Sequence, residues 1–251
     1  MTSDELFEFD LNGFLVCPNV LTPAEVERVR QLIRESRENK LMKFTFMDLD
    51  PWFLELIERP AILNRMEALL GPWLRFDHAY GIRMRREVPI EENLHGGPLG
   101  DERSFFYQYI QGQMHNGMLK ATFALNDVRP GDGGFICLPG SHKSNIKHRV
   151  NFDSPLVANP AFRAGDVLIF NEALIHGSRQ WRAEQLREVL IYTYAPGFAC
   201  WRNPDELAPL RARATSETQR RLLRPPFVGE LDLTGAAKGS WTRWRTPIID
   251  R

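Results

Sequence analysis

Cysteine is scarce. The 251-residue chain has three, Cys17, Cys137 and Cys200, odd in number and far apart. That excludes a disulfide framework and a thiolate metal site, and it fits a reducing compartment. Net charge is missing as well: 32 basic side chains balance 32 acidic ones, so no overall field favours nucleic acid or an anionic membrane surface. The arginines at Arg83, Arg85 and Arg86, and those between Arg211 and Arg224, read as a solvated strand edge and helix face. No apolar run reaches the length of about 18 residues that a spanning helix needs. The opening MTSDELFEFD is acidic and carries none of the three regions of a secretory leader. Internal repeats and low-complexity linkers are also lacking. The expectation is a single cytoplasmic domain over 1–251, with a small-molecule substrate and no nucleic-acid or membrane partner.

What is present divides the chain into three textures. Over 1–75 the pattern is mostly helical. Asn12-Gly13 makes a turn into the short apolar run Phe14–Cys17. Then Thr22, Pro23 and Glu25 form a capping box with proline at the first helical position. Val26, Val29 and Ile33 repeat at helical spacing, so a helix is predicted to about Ser36. A second is predicted over 60–70, where Ile62, Met66 and Leu69 share a face before Gly71-Pro72. From 76 to 200 short β-favouring runs alternate with glycine and proline turns: HAYGIRM, MLKATFALNDV, GGFICLPG, GDVLIF and EVLIYTYAP. Runs at that spacing predict an all-β sandwich or barrel rather than βαβ units. The extension over 201–251 reads as helical to about Leu223, then irregular.

Two stretches carry chemistry. In NLHGGP, His95 is followed by two glycines, and an imidazole alone rarely grips a metal, so what completes the site is open; the position two residues on holds Gly97 and no carboxylate. In AGDVLIFNEALIHGSRQWRAEQLREVLIYTY, Glu172 precedes His176 by four residues and Arg187 follows it by eleven. Arg187 enters a run that otherwise reads as buried. Its charge therefore requires an anionic partner, and the carboxylate of a ligand would serve.

In order, the turn DVRPGDGG, the turn PGSHK, the segment GDVLIF…IHGS and an arginine eleven residues after the histidine resemble the phytanoyl-CoA dioxygenase family. The phenylalanine-rich start, NGF and LTPAEVE resemble it too. The likeness covers roughly 5–200. It implies a mainly β fold, a double-stranded β-helix (jelly-roll, cupin-like) with flanking N-terminal and C-terminal helices. It implies an iron(II)/2-oxoglutarate-dependent dioxygenase that uses O2 to hydroxylate, desaturate or oxidatively cyclise a small molecule, such as a secondary metabolite. By position, His95 and His176 would be iron ligands. Arg187 and Ser178 would hold the distal carboxylate of 2-oxoglutarate, and Met84 would touch the same cosubstrate or fill core.

Gly97 departs from the family's His-x-Asp, and three readings follow. Another carboxylate completes the triad: Glu172, if the strand to His176 stays regular, or less favourably Asp101. Alternatively a halide fills the place, as in related halogenases with His-x-Gly. Alternatively the barrel is a non-catalytic binding protein. For Glu172 the competing reading is a salt bridge to Arg187 or Arg83. His115 is expected to open the MLKATFALNDV strand with the parity of Phe123, as a catalytic residue, extra ligand or substrate contact, or else as a satisfied barrel-mouth residue. His142 is expected to order its turn, and His78 and His148 to be surface or structural. Phe105, Phe106, Tyr107 and Tyr109 line a pocket or pack as core, and Trp181 is a candidate to close the iron pocket.

Overall fold

The computed structural model describes residues 1–35, 42–98, 103–147 and 149–227. Asp101, His148 and the last part of the C-terminal extension, 228–251, lie outside them. Among the described residues, four helices lie in the N-terminal part, interrupted by two short strands: α1 (Ser3–Asn12), α2 (Pro23–Glu35), α3 (Trp52–Glu55) and α4 (Pro60–Leu70). Two short ones, α5 (Ala208–Ala212) and α6 (Glu217–Leu222), follow the β region. The capping box of α2 forms as its sequence requires. Glu25 N donates to Thr22 Oγ1 at 3.2 Å, and Thr22 N donates to a Glu25 carboxylate oxygen at 2.8 Å. A second box, Thr2 with Glu5, caps α1. That helix was not anticipated, although MTSDE carries its signature.

The described residues hold eleven strands, in chain order: β1 (Phe14–Cys17), β2 (Met42–Phe44), β3 (Arg75–Met84), β4 (Asn93–His95), β5 (Tyr107–Ile110), β6 (Gln113–Asn116), β7 (Leu119–Ala124), β8 (Gly134–Cys137), β9 (Val167–Asn171), β10 (His176–Arg179) and β11 (Arg187–Ala195). They form a six-stranded sheet in the order β1-β9-β7-β11-β3-β2, a three-stranded sheet β4-β10-β8 and the hairpin β5-β6. All pairings between these strands are antiparallel. Two facing sheets with helices outside make the expected cupin-like barrel.

Strand β11 shows why its sequence is apolar throughout. Side chains alternate between faces. Leu190, Tyr192 and Tyr194 enter the large core shared with α2 and α4, including Val26, Val29, Ile62 and Met66. The other face, Arg187, Val189, Ile191 and Thr193, turns towards the barrel interior. Both faces are buried, so the strand cannot show the alternation of a half-exposed one. A smaller core inside the barrel gathers Met84, Ala124, Phe135, Leu168, Phe170 and Trp181.

Candidate active site

The chain crosses from one sheet to the other between β9 and β10, and this crossing builds the site. The strand does not stay regular to His176, as the placing of Glu172 had assumed. Leu174 N donates to Asn171 O at 2.9 Å and Ala173 N to Asn171 Oδ1 at 2.6 Å, closing a turn directly after β9. Glu172 therefore reaches the interior through a turn and not by strand alternation.

His176 opens β10 and stands directly across from His95, the last residue of β4. Their ring centroids are 4.3 Å apart. The His176 ring also packs on Phe170 at 4.8 Å and lies nearly parallel to Phe135 at 6.1 Å. Its Nδ1 donates to Leu174 O at 2.7 Å, which leaves Nε2 with a free lone pair. Burial pushes the His176 imidazole down to about 4, and burial lowers His95 as well. Two neutral imidazoles side by side are suited to a divalent metal.

The glycines after His95 have a geometric cause. Gly96 and Gly97 take φ +87° and +99°, a region L side chains rarely enter. A Cβ on Gly96 would lie 2.5 Å from Leu174 O. The loop is thus pressed against the β9–β10 turn, and the backbone at Gly97 is not one that an aspartate readily adopts.

Glu172 is buried, and its expected salt-bridge partners are engaged elsewhere. Arg83 Nε binds Glu188 Oε1 at 2.8 Å, and the Arg187 side chain runs to Met84. The partner of Glu172 is Lys120, whose Nζ lies 2.6 Å from Oε1 and 3.0 Å from the Tyr80 hydroxyl. Burial pushes the Glu172 carboxyl up, but the Lys120 ammonium beside it outweighs burial and holds it below the usual carboxylate range. Among the described residues, no three His, Cys, Asp or Glu side chains already stand together as a metal cage.

Arg187 is buried in the small barrel core. Its Nη1 lies 3.2 Å from Met84 Sδ, and its Nε has no hydrogen-bond partner. No acid faces it among the described residues, and burial lowers it to about 10. It lies over Gly134, where a Cβ would collide with the guanidinium. Gly134 is three residues along β8 from Cys137, the partner of His176. That is roughly 10 Å of strand, a span suited to a five-carbon diacid reaching from guanidinium to imidazoles. Ser178, two residues after His176, shares its face.

A cavity of about 670 Å³ opens beside His95. Part of its wall is a cross-strand row: His78 on β3, Thr193 on β11 and Lys120 on β7 stand in register. Phe105 and Trp201 stack at the same cavity, with centroids 5.3 Å apart and planes within 19°. His115 is exposed on β6 opposite Gln108 and is not among the cavity's lining residues. Tyr107 packs on His142 at 4.6 Å, away from the cavity. Trp181 is fully buried in the small core and donates to Gln185 O. The sequence reading missed His78 and Lys120 as lining residues. The signal for Lys120 was available: a lysine in the apolar strand MLKATFAL requires a partner by the argument applied to Arg187.

A family model described as phytanoyl-CoA dioxygenase matches residues 9–189. The chain belongs to the phytanoyl-CoA dioxygenase family. Peroxisomal phytanoyl-CoA dioxygenase of Mus musculus is 23% identical over 233 residues, covering 76% of this chain and 67% of the mouse protein. HygX from Streptomyces hygroscopicus, solved with nickel and 2-oxoglutarate bound, is 28% identical. It superposes with a TM-score of 0.72 over 80% of this chain and 90% of that one. The carbocyclase SnoK from nogalamycin biosynthesis shares the fold at 18% identity, with a TM-score of 0.64 over 92% and 95% of the two chains. As a member, this protein is an iron(II)- and 2-oxoglutarate-dependent dioxygenase that uses O2. The residues fit those groups: the paired neutral imidazoles suit iron(II), and the buried Arg187, faced by no acid among the described residues and with its Nε unbonded, suits a carboxylate. No helix among the described residues is long and apolar enough to cross a membrane.

Proposed function

We propose that this dioxygenase oxidises a small organic molecule held in the cavity beside His95, by hydroxylation, desaturation or oxidative cyclisation. His95 and His176 would hold iron(II), with Glu172 completing the ligand set once its carboxylate turns from Lys120. Arg187, with Ser178, would anchor the distal carboxylate of 2-oxoglutarate. The observation that carries this reading is the pairing of two imidazoles across β4 and β10, with an uncompensated guanidinium in the same interior.

Held by these residues, iron(II) would supply a centre at which O2, with 2-oxoglutarate as co-reductant, is made able to oxidise a C–H bond. The chain's own groups do the rest. The Leu174 carbonyl fixes the His176 tautomer, so Nε2 is the nitrogen offered to metal. Arg187 orients the diacid through a charge-assisted, two-pronged contact. Phe135, Phe170 and Trp181 keep that end of the barrel dry, and the open cavity on the other side of His95 admits the substrate.

One observation favours a second reading, the halogenase. Gly97 offers no carboxylate, and Lys120 neutralises Glu172, so chloride would be the anion beside the metal. The two are separated by iron content and product. Glu172→Ala would lose iron if Glu172 is a ligand, and would retain it if a halide serves. Anaerobic iron(II) with 2-oxoglutarate should give a weak visible charge-transfer band in the native chain and none in His95→Ala or His176→Ala. Absence of the band and of bound iron in the native chain overturns both readings.

A further inference from the structure

The cavity beside the two imidazoles is electrostatically one-sided. Among the described residues its walls carry three cations, Lys43, Lys120 and Arg202, and one acid, Glu172. Lys120 and Glu172 neutralise each other at 2.6 Å. Asp77, behind the wall, is already engaged by Arg75 at 2.8 Å and His78 at 2.7 Å. Two positive charges remain. The Lys43 ammonium lies 5.2 Å from the Tyr80 ring centroid and pairs with no acid among the described residues. Among the described residues Arg202 pairs with Glu206 alone, at 4.0 Å, with both side chains more than half exposed, a contact worth little in water. The chain as a whole is neutral, so this surplus is local to the cavity.

The aromatic wall adds shape to charge. Trp201 is 47% exposed yet stacked on Phe105. An indole left open beside a cavity offers a flat, apolar platform for a ring. At about 670 Å³ the space suits a small ring system.

We infer that the cavity selects a ring-bearing small molecule with an anionic group, the ring lying on Trp201 and Phe105 and the anion meeting Lys43 and Arg202. This rests on the reading that the cavity receives the substrate. It adds the substrate's charge, and it makes Lys43 and Arg202 specificity-determining residues.

The test uses the full chain with nickel(II) and 2-oxoglutarate at low salt, titrated calorimetrically with three probes of one ring: cyclohexanecarboxylate, cyclohexanol and cyclohexylamine. Saturating 2-oxoglutarate keeps the acid from Arg187. The acid should bind at least about tenfold more tightly than the alcohol, and the amine most weakly. The exposed-site double variant K43Q/R202Q should bring acid and alcohol within about twofold of each other, and W201A should weaken both alike. The inference is overturned if the amine or alcohol binds as tightly as the acid, if the preference survives in K43Q/R202Q, or if no probe binds. Nickel uptake in the same experiment reports on the histidine site separately. Uptake without an acid preference sinks only the substrate class. No uptake sinks the metal-site reading, and the three probes are then compared on the metal-free chain.

Discussion

The Lys120 ammonium lies 2.6 Å from Glu172 Oε1, so the carboxylate that stands beside the two imidazoles among the described residues already has a cation. A divalent ion reaching Glu172 must share it with that ammonium or displace it. The Tyr80 hydroxyl and ring, 3.0 Å and 5.3 Å from Lys120 Nζ, are in place to receive the displaced group.

Lys120→Met therefore has opposite effects on the two states. Without metal it strands a buried carboxylate and should lower stability by about 3 kcal/mol, read by urea unfolding. With metal it removes a like charge a few ångströms away, a repulsion of several kcal/mol even at an effective dielectric of ~20. Manganese(II) affinity should rise at least about tenfold, measured by calorimetry. Unchanged or weaker affinity means that Glu172 is the counter-ion of Lys120 and not a ligand.

Arg187→Met should separate cosubstrate binding from folding. Losing a two-pronged charge-assisted contact is expected to raise the KM for 2-oxoglutarate about 100-fold, while manganese affinity stays within about threefold. The metal-free variant should be as stable as the native chain or more so, because an unpaired buried charge gives way to an apolar side chain of similar reach. A fall in melting temperature without a KM change would show Arg187 to be a packing residue.

Gly96→Ala should destabilise the chain by about 2 kcal/mol or more, since its Cβ would lie 2.5 Å from Leu174 O at φ +87°. Metal affinity should fall with it, as the strain moves His95. Gly97→Asp, at φ +99°, should not tighten metal binding despite the carboxylate it adds. A tightly binding Gly97→Asp chain would mean that the loop relaxes to accept a ligand there.

His142 gives a pH signature independent of the metal site. It is fully buried against Tyr107, and burial, then Lys143, lower it to about 4 from an ordinary 6.5. The unfolded chain binds the proton more readily between those values. Its contribution is therefore complete above about pH 6.5 and is lost as pH falls towards 4, by up to about 3 kcal/mol. In His142→Phe the stability profile over that window should be flatter than in the native chain. Parallel profiles would show that His142 titrates normally.

Much was legible locally. The capping boxes, the helix faces and the glycine-punctuated β runs act over a few residues, so they can be read in order along the chain. Arg187 was legible too, because a charge inside an apolar run has a cost wherever the strand ends up. The position of Glu172 was not. It depends on where β9 stops, and Asn171 stops it with a side-chain turn that the apolar run before it does not announce.

By itself the sequence determined the sheet-forming runs, the α2 and α4 helices and the residue types able to bind metal and diacid. Tertiary structure alone decided that His95 meets His176 across two strands, that Lys120 rather than Arg83 or Arg187 holds Glu172, and that His78, Thr193 and Lys120 form one wall. Helix caps and turns come from bonds between near neighbours. Strand register and the pairing of buried charges depend on which distant segments meet, and that is set only when the whole barrel closes.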